Sequence, residues 1–131
     1  MDPTLLTVEE ILAIHGDQIS RYGGAGGVRD AALLESAVAM PGAAFEGKLL
    51  HTELCEMAAA YLFHIVQNHP FVDGNKRAGA VAADVFLRLN GLCLTADDDA
   101  YAELVLAVAR GEASKPEIAA FFRANAEPQS E

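Results

Sequence analysis

The chain has 131 residues, with nine lysines and arginines against 19 aspartates and glutamates, which gives a formal charge of −10. Apolar residues make up 52% of the chain and charged residues 21%, the balance of a folded globular domain and not of a disordered chain. The length suits one domain with a true hydrophobic core. Because the overall negative field repels DNA, RNA and anionic lipid, broad nucleic-acid or membrane binding is not expected.

The cysteines and the N-terminus bear on the compartment in which the protein works. Cys55 and Cys93 are far apart and lack the paired spacing of a zinc site or a disulfide framework, so we expect two reduced thiols. The segment from Met1 to Thr4 lacks the basic start and apolar core of a signal peptide, and no run approaches the length of a membrane span. We therefore predict a cytoplasmic protein.

Two helices are predicted in the first third of the chain. The first begins after Thr7, which forms a capping box with Glu10, and it carries apolar residues at intervals of three and four. It ends at residues 23–27, where four glycines make a helix costly. A shorter helix follows Asp30 and ends before Pro41, because proline disfavours helix in the residue that precedes it, and an irregular stretch comes next.

Two long apolar stripes then predict the spine of the domain, a pair of antiparallel helices over residues 49–68 and 75–90. A short extended piece is predicted at 92–95, followed by a helix that begins at Asp97. A last helix begins at Ser114, which has a glutamate three residues later. No strand pair is evident.

The predicted fold class is therefore all-α. We expect a compact single-domain bundle of about six helices around a central antiparallel pair, occupying residues 1–126. Residues 127–131 are expected to form a frayed C-terminal tail.

Candidate catalytic residues lie in the turn between the two long helices. Histidine is the side chain whose neutral form is readily available near neutral pH, so His69 can take a proton from an attacking hydroxyl. Asp73 offers the carboxylate oxygens that Mg²⁺ prefers when it also bridges nucleotide phosphates. We predict His69 as the general base and Asp73 as the metal ligand.

The residues that follow predict a phosphate site. Gly74 allows a sharp turn at a helix N-terminus, where unpaired backbone N–H groups and the helix dipole favour anions. Asn75, Lys76 and Arg77 are expected to add side-chain donors around that anion, with arginine able to bind it bidentately. Lys76 and Arg77 form the only adjacent basic pair in this acidic chain.

Residues 69–77, read as HPFVDGNKR, match every fixed position of the H-x-F-x-[D/E]-G-N-x-R signature, and the chain therefore resembles Fic-domain proteins. Two departures resemble the Doc (death-on-curing) branch: Lys76 stands where adenylylating members have glycine, and Ala80 replaces their second arginine. The segments 19–24 and 85–91 also look like Doc-family sequences, so the resemblance covers most of the chain.

The resemblance implies a toxin of a type II toxin–antitoxin system. In Doc-type toxins the lysine keeps ATP from lying in the adenylylating orientation, so that the nucleotide binds reversed and its γ-phosphate is transferred. The implied target is a threonine of elongation factor Tu, which stops translation. The implied cofactors are ATP and Mg²⁺, and the implied partner is a cognate antitoxin whose C-terminal segment lies in a groove near the active site.

Two other functions remain open at this point. The Gly74-Asn75 motif permits the transfer of AMP instead of phosphate, although Lys76 argues against it. Alternatively, the chain acts only as a binding module in a repressor complex with its antitoxin.

Several residues also have simpler interpretations. His69 alone would be read as a helix-end histidine, and Phe71 is read as an anchor for the turn. A zinc site formed by His64, His69 and Asp73 is disfavoured because the spacing does not suit a helix. His15 and His64 are expected to be packing or surface residues, whereas Lys48 and His51 are candidates to face a target. Arg21, Tyr22 and the glycines of residues 23–27 are expected either to line the substrate cleft or to form a plain loop.

Overall fold

A computed structural model describes residues 2–129. In this range six α-helices are joined by short connections that include a 3₁₀ turn at Met40–Gly42 and four short strands. The helices are α1 (Val8–Tyr22), α2 (Ala31–Ala39), α3 (Leu54–Asn68), α4 (Asn75–Leu89), α5 (Asp98–Ala109) and α6 (Lys115–Asn125). The strands are β1 (Ala44–Phe45), β2 (Lys48–Leu49), β3 (Leu92–Leu94) and β4 (Ala126–Pro128). The predicted helical fold class is confirmed.

The capping residues begin the helices where the sequence predicts. Thr7 and Glu10 form a reciprocal capping box at the start of α1, and Ser114 and Glu117 form the same motif at the start of α6. The side chain of Asp30 accepts a hydrogen bond from a backbone N–H in the first turn of α2. Each box satisfies two backbone donors that the helix itself leaves unpaired.

The pair α3 and α4 forms the centre of the domain, and α3 makes the most extensive helix contacts, with α4 and α6. The two helices approach closely at Gly79, where an added Cβ would lie 2.9 Å from Val66 Cγ2 and 3.3 Å from the carbonyl oxygen of Leu62. A side chain at this position would force the helices apart, so glycine is required by packing. The predicted central pair is confirmed.

The start of α3 was expected at residue 49, but the helix begins five residues later. The preceding segment instead forms the hairpin of β1 and β2, with Glu46 and Gly47 at its turn. Both turn residues have positive φ, as in the hairpin turns that match the twist of paired strands. Leu49 of β2 therefore belongs to an exposed hairpin, and the interpretation of an apolar stripe that begins at residue 49 was wrong there.

A second strand pair corrects the expectation of a frayed tail. Strand β4 pairs antiparallel with β3, with Cys93 opposite Glu127 and Leu94 opposite Ala126. The pairing extends to the hydrogen bond from Gln129 N to the carbonyl of Gly91, at 3.0 Å. Backbone hydrogen bonds therefore order residues 127–129, and the pattern of side chains in the sequence gives no sign of them. Residues 130–131 lie outside the described range. The extended piece predicted at 92–95 is confirmed over Leu92–Leu94.

A polar cluster outside the turn joins α3 to α6. The Lys115 ammonium contacts Nε2 of His64 at 3.0 Å and Nε2 of His51 at 3.3 Å. Because an ammonium can only donate, both imidazoles accept through Nε2 and are neutral. Burial, and secondly the charge of Lys115, lower the pKa of His64 to about 4. His64 is thus bound to Lys115, and no group of three or more metal-ligating side chains occurs within residues 2–129.

This cluster predicts a loss of stability in mild acid. The pKa of His64 is lower in the folded chain than in the unfolded chain, so stability present above pH ~6.5 is lost as the pH falls towards about 4. We expect the free energy of unfolding to fall by roughly 2 to 3 kcal/mol over that range. Urea unfolding of wild type and His64→Gln at four pH values measures this, because glutamine keeps an acceptor for Lys115 but does not titrate. If the free energy of unfolding depends on pH equally in the two proteins, His64 is not the group whose protonation destabilises the fold.

Candidate active site

The turn between α3 and α4 is built around the backbone of His69. This residue adopts a left-handed conformation, with φ 51° and ψ 54°, as it ends α3. The conformation is uncommon for a residue with a side chain and costs of the order of 1 kcal/mol. Arg29 holds it in place, since its guanidinium donates to the carbonyl of His69 at 2.7 Å and to that of Asn68 at 3.1 Å. The His69 side chain is exposed.

The glycine-rich segment that follows α1 lies beside this turn. Val28 and Phe71 form an antiparallel bridge, and the N–H of Val72 donates to the carbonyl of Gly27 at 3.0 Å. The Pro70 carbonyl accepts from the N–H groups of Arg29 and Asp30. The glycine-rich segment is therefore hydrogen-bonded to the motif turn.

Asp73 is exposed and ionised. Its carboxylate accepts from the N–H of Gly74 at 2.8 Å and from the N–H of Ala25 at 3.2 Å, and these bonds lower the pKa of the carboxyl below its ordinary value. Each oxygen accepts one such bond and has a lone pair left for another ligand. The side chain thus fits the predicted role of a Mg²⁺ ligand, with most of the other ligands supplied by phosphate and water.

The N-terminus of α4 opens into a cavity of about 340 Å³. Gly74, with φ 79°, makes the turn into the helix, whose first backbone N–H groups have no acceptor within the helix. The lining consists of Val66, His69, Asp73, Gly74, Asn75, Lys76, Arg77 and Ala109. All six predicted site residues therefore meet at one cavity, with a positive helix end and two basic side chains around it.

The side chain of Asn75 is placed differently from the prediction that it surrounds the anion. It is buried, and its amide accepts from the N–H of Phe71 at 2.9 Å and donates to the carbonyl of Phe71 at 3.0 Å. Asn75 therefore closes the turn, and its backbone N–H is the group available at the start of α4.

Arg77 also has structural contacts. Its guanidinium donates to the carbonyls of Gln18, at 3.2 Å, and Gly23, at 2.8 Å, at the end of α1. The guanidinium has five N–H donors, so others remain for an anion in the cavity. Lys76, by contrast, is exposed and makes no side-chain hydrogen bond within residues 2–129. The roles predicted for both side chains stay predictions.

His15 is a positioning residue that the sequence interpretation missed. It is buried in α1, its ring stacks on Phe71 at 3.7 Å between centroids, and its Nε2 lies 2.7 Å from the carbonyl oxygen of Asp73. Because a carbonyl only accepts, Nε2 carries the proton. The position of His15 on the apolar face of α1 indicates that its side chain is buried. Nothing in the sequence indicates that it contacts Phe71 and Asp73.

Gly24 is required for the contact between the glycine segment and Asp73. A Cβ at this position would lie 2.6 Å from Asp73 Oδ2 and 3.1 Å from Arg77 Nη2, and the backbone has φ 116°. We expect Gly24→Ala to break the bond from Ala25 to Asp73, to raise the pKa of Asp73, and to cost about 1 to 2 kcal/mol of stability. Carboxyl titration by NMR and urea unfolding measure the two effects. Gly26→Ala is the control, since a Cβ there meets no atom within 4 Å.

Comparisons with known proteins identify the family of this chain. A family model described as the Fic/DOC family matches residues 5–87, which include α1, the glycine segment and the motif turn. The chain belongs to the Fic/DOC family. It is 35% identical over 118 residues to the protein named "Protein kinase doc" of Escherichia phage P1, an alignment that covers 90% of this chain and 92% of that protein.

A second relative is named "Toxin Doc", from Mycolicibacterium smegmatis. It is 46% identical over 78 residues, and the alignment covers 60% of each chain. Both relatives carry the name Doc, so the resemblance to the Doc branch is confirmed. No helix within residues 2–129 is both long and apolar enough to cross a membrane.

Proposed function

We propose that this protein is a Doc-type toxin, a Mg²⁺- and ATP-dependent kinase that transfers the γ-phosphate of ATP to a protein hydroxyl. The relative named "Protein kinase doc" supports phosphate transfer as the reaction class. The observation that carries the proposal is the cavity itself, where His69, Asp73 and the first N–H groups of α4 face one space. That space unites a base, a carboxylate ligand and an anion site.

In the proposed reaction the oxygen of the substrate hydroxyl forms a bond to the γ-phosphorus, and His69 accepts the proton of that hydroxyl. The bond between that phosphorus and the oxygen bridging it to the β-phosphate breaks, and ADP leaves with the electron pair. The helix N-terminus, Lys76 and Arg77 stabilise the charge on the phosphoryl oxygens. Arg29 holds the left-handed backbone of His69 and so fixes the point from which the imidazole side chain extends. In this proposal, placing the base correctly beside the hydroxyl supplies much of the catalysis.

Asp73 is the side chain proposed to hold Mg²⁺. A bound Mg²⁺ would neutralise phosphate charge and orient the γ-phosphate. The bonds from Gly74 and Ala25 keep the carboxylate ionised and fixed in direction, so that it is ready for the ion. No group of three or more metal-ligating side chains occurs within the described residues, so substrate and water would have to supply most of the other ligands of such an ion.

Lys76 favours the transfer of phosphate over that of AMP. It lies in the first turn of α4 and lines the cavity. A glycine at this position would leave room for the nucleotide to bind in the orientation that transfers AMP. A positive charge there would attract the terminal phosphate towards His69. Ala80 supplies no second cation farther along the helix.

The proposed substrate is a threonine of elongation factor Tu, and its modification would stop translation in the cytoplasm. A cognate antitoxin is proposed to neutralise the protein. The "Toxin Doc" relative supports a toxin with such a partner.

One experiment tests these proposals together. The protein is incubated with Mg²⁺, elongation factor Tu and ATP labelled in either the α- or the γ-phosphate, with and without antitoxin. We expect label from the γ-phosphate on threonine, and none when antitoxin is present. Label from the α-phosphate would establish AMP transfer instead. No label from either position, with tight antitoxin binding retained, would establish the binding module.

A further inference from the structure

Three hydrogen bonds hold Asp73, one on each of its oxygen atoms. In the carboxylate, Oδ1 accepts from the N–H of Gly74 at 2.8 Å and Oδ2 accepts from the N–H of Ala25 at 3.2 Å. The main-chain carbonyl oxygen accepts from Nε2 of His15 at 2.7 Å. The first two bonds hold the side chain, whereas the third holds the peptide group from which that side chain extends. The direction of the carboxylate therefore depends on His15 as well.

The surroundings of His15 hold its imidazole in place. The side chain is buried in α1, and its ring lies almost parallel to that of Phe71, at an interplanar angle of 4°. Phe71 is itself fully buried, and the amide of Asn75 bonds both of its backbone groups. A Cβ at Gly74 would lie 3.4 Å from Nε2 of His15, so the imidazole also packs beneath the glycine that follows Asp73.

The hydrogen bond distinguishes His15 from a residue that only packs. A phenylalanine could supply the same stack on Phe71, but it has no donor for the carbonyl of Asp73. Because Asp73 is exposed, water would then replace the lost donor, and the peptide group would no longer have a fixed orientation. Mg²⁺ requires ligands at about 2.0–2.1 Å in near-octahedral geometry, so a reoriented carboxylate would bind it less tightly.

We propose that His15 is a positioning residue for the binding of Mg²⁺, because its bond to the carbonyl of Asp73 sets the direction of the carboxylate at the motif cavity. The inference rests on the proposed kinase function, in which Asp73 holds the ion. In this proposal His15 acts only through Asp73. Loss of a hydrogen bond that orients a metal ligand typically lowers metal affinity by about 10- to 100-fold.

Two substitutions separate the hydrogen bond from the packing. His15→Phe keeps an aromatic ring against Phe71 and removes the donor, whereas His15→Gln keeps an N–H donor and removes the ring. Calorimetry measures the Kd of the β,γ-imido analogue of ATP in Mg²⁺ and in EDTA. We expect His15→Phe to weaken binding by about 10- to 100-fold in Mg²⁺ and to leave the Kd in EDTA within about threefold of wild type. His15→Gln should keep both Kd values within about threefold.

A measurement without metal tests the geometry itself. The N–H groups of Ala25 and Gly74 donate to the carboxylate, so their hydrogen exchange reports whether that carboxylate stays in place. NMR should show exchange that is about fivefold faster in His15→Phe and unchanged in His15→Gln. Unchanged exchange in His15→Phe would overturn the inference. His15→Leu, which is smaller and also lacks a donor, is used where the larger ring prevents folding.

The binding results separate this inference from the proposed function. If the analogue binds wild type equally in Mg²⁺ and in EDTA, the proposed Mg²⁺-dependent function is overturned, and the inference with it. If wild type responds to Mg²⁺ and His15→Phe responds equally, the function stands and His15 does not position the metal ligand. Equal losses in Mg²⁺ and in EDTA, or equal losses in the two variants, would assign His15 to packing alone and also overturn the inference.

Discussion

Replacing His69 by alanine is expected to lower the rate of phosphate transfer by roughly 100- to 10,000-fold, the usual contribution of a general base. The reason is the loss of the group that accepts the hydroxyl proton, while the anion site at the start of α4 is untouched. The loss should fall on kcat, and the Kd for ATP should stay within about threefold, because proton transfer occurs after the nucleotide binds. Single-turnover transfer of labelled γ-phosphate measures the first quantity and calorimetry the second.

His64→Gln is the matched control for this variant. It removes a histidine of α3 close in sequence to His69, but His64 contacts Lys115 and does not line the motif cavity. At pH 7.5 we expect this variant to transfer phosphate at close to the wild-type rate. Full activity in His69→Ala would exclude His69 as the base, whereas equal losses in the two variants would point to a general effect on folding.

Much of the fold follows from signals that are local in the sequence. The capping boxes at Thr7 and Ser114 are complete within four residues, so their helix starts could be predicted without knowledge of the rest of the chain. The pairing of β3 with β4 could not, because it depends on backbone groups more than 30 residues apart along the chain. Apolar periodicity likewise overextended α3 into a hairpin whose exposed residues include Leu49.

The candidate site divides in the same way. His69, Asp73 and Gly74 stand close together in the sequence, and their placement around one cavity follows from the sharp turn between two helices. The partners that hold the turn come from elsewhere: Arg29 fixes the carbonyl of His69, and His15 that of Asp73. A hydrogen bond to a backbone carbonyl requires no particular residue type at the acceptor, so neither pair leaves a trace in the sequence.

Asn75 shows most clearly how position in a motif can mislead about role. Its amide bonds both the N–H and the carbonyl of the buried Phe71, so Asn75→Ala would leave two backbone groups unpaired. Each such group costs about 1 to 3 kcal/mol. We therefore expect a loss of about 2 to 4 kcal/mol in the free energy of unfolding, and a transfer rate at least about tenfold lower even where the variant is folded.

Asn90→Ala separates a loss of stability from a loss of site geometry. Asn90 stands at the other end of α4, where its amide likewise bonds both backbone groups of one residue, Thr4. Urea unfolding should show destabilisation in both variants, whereas only Asn75→Ala should lower the transfer rate at a temperature at which both are folded. If the two variants lose transfer in proportion to their stability alone, Asn75 has no particular role in the site. If Asn75→Ala loses transfer far beyond that proportion, the bond from Asn75 to Phe71 sets the position of His69.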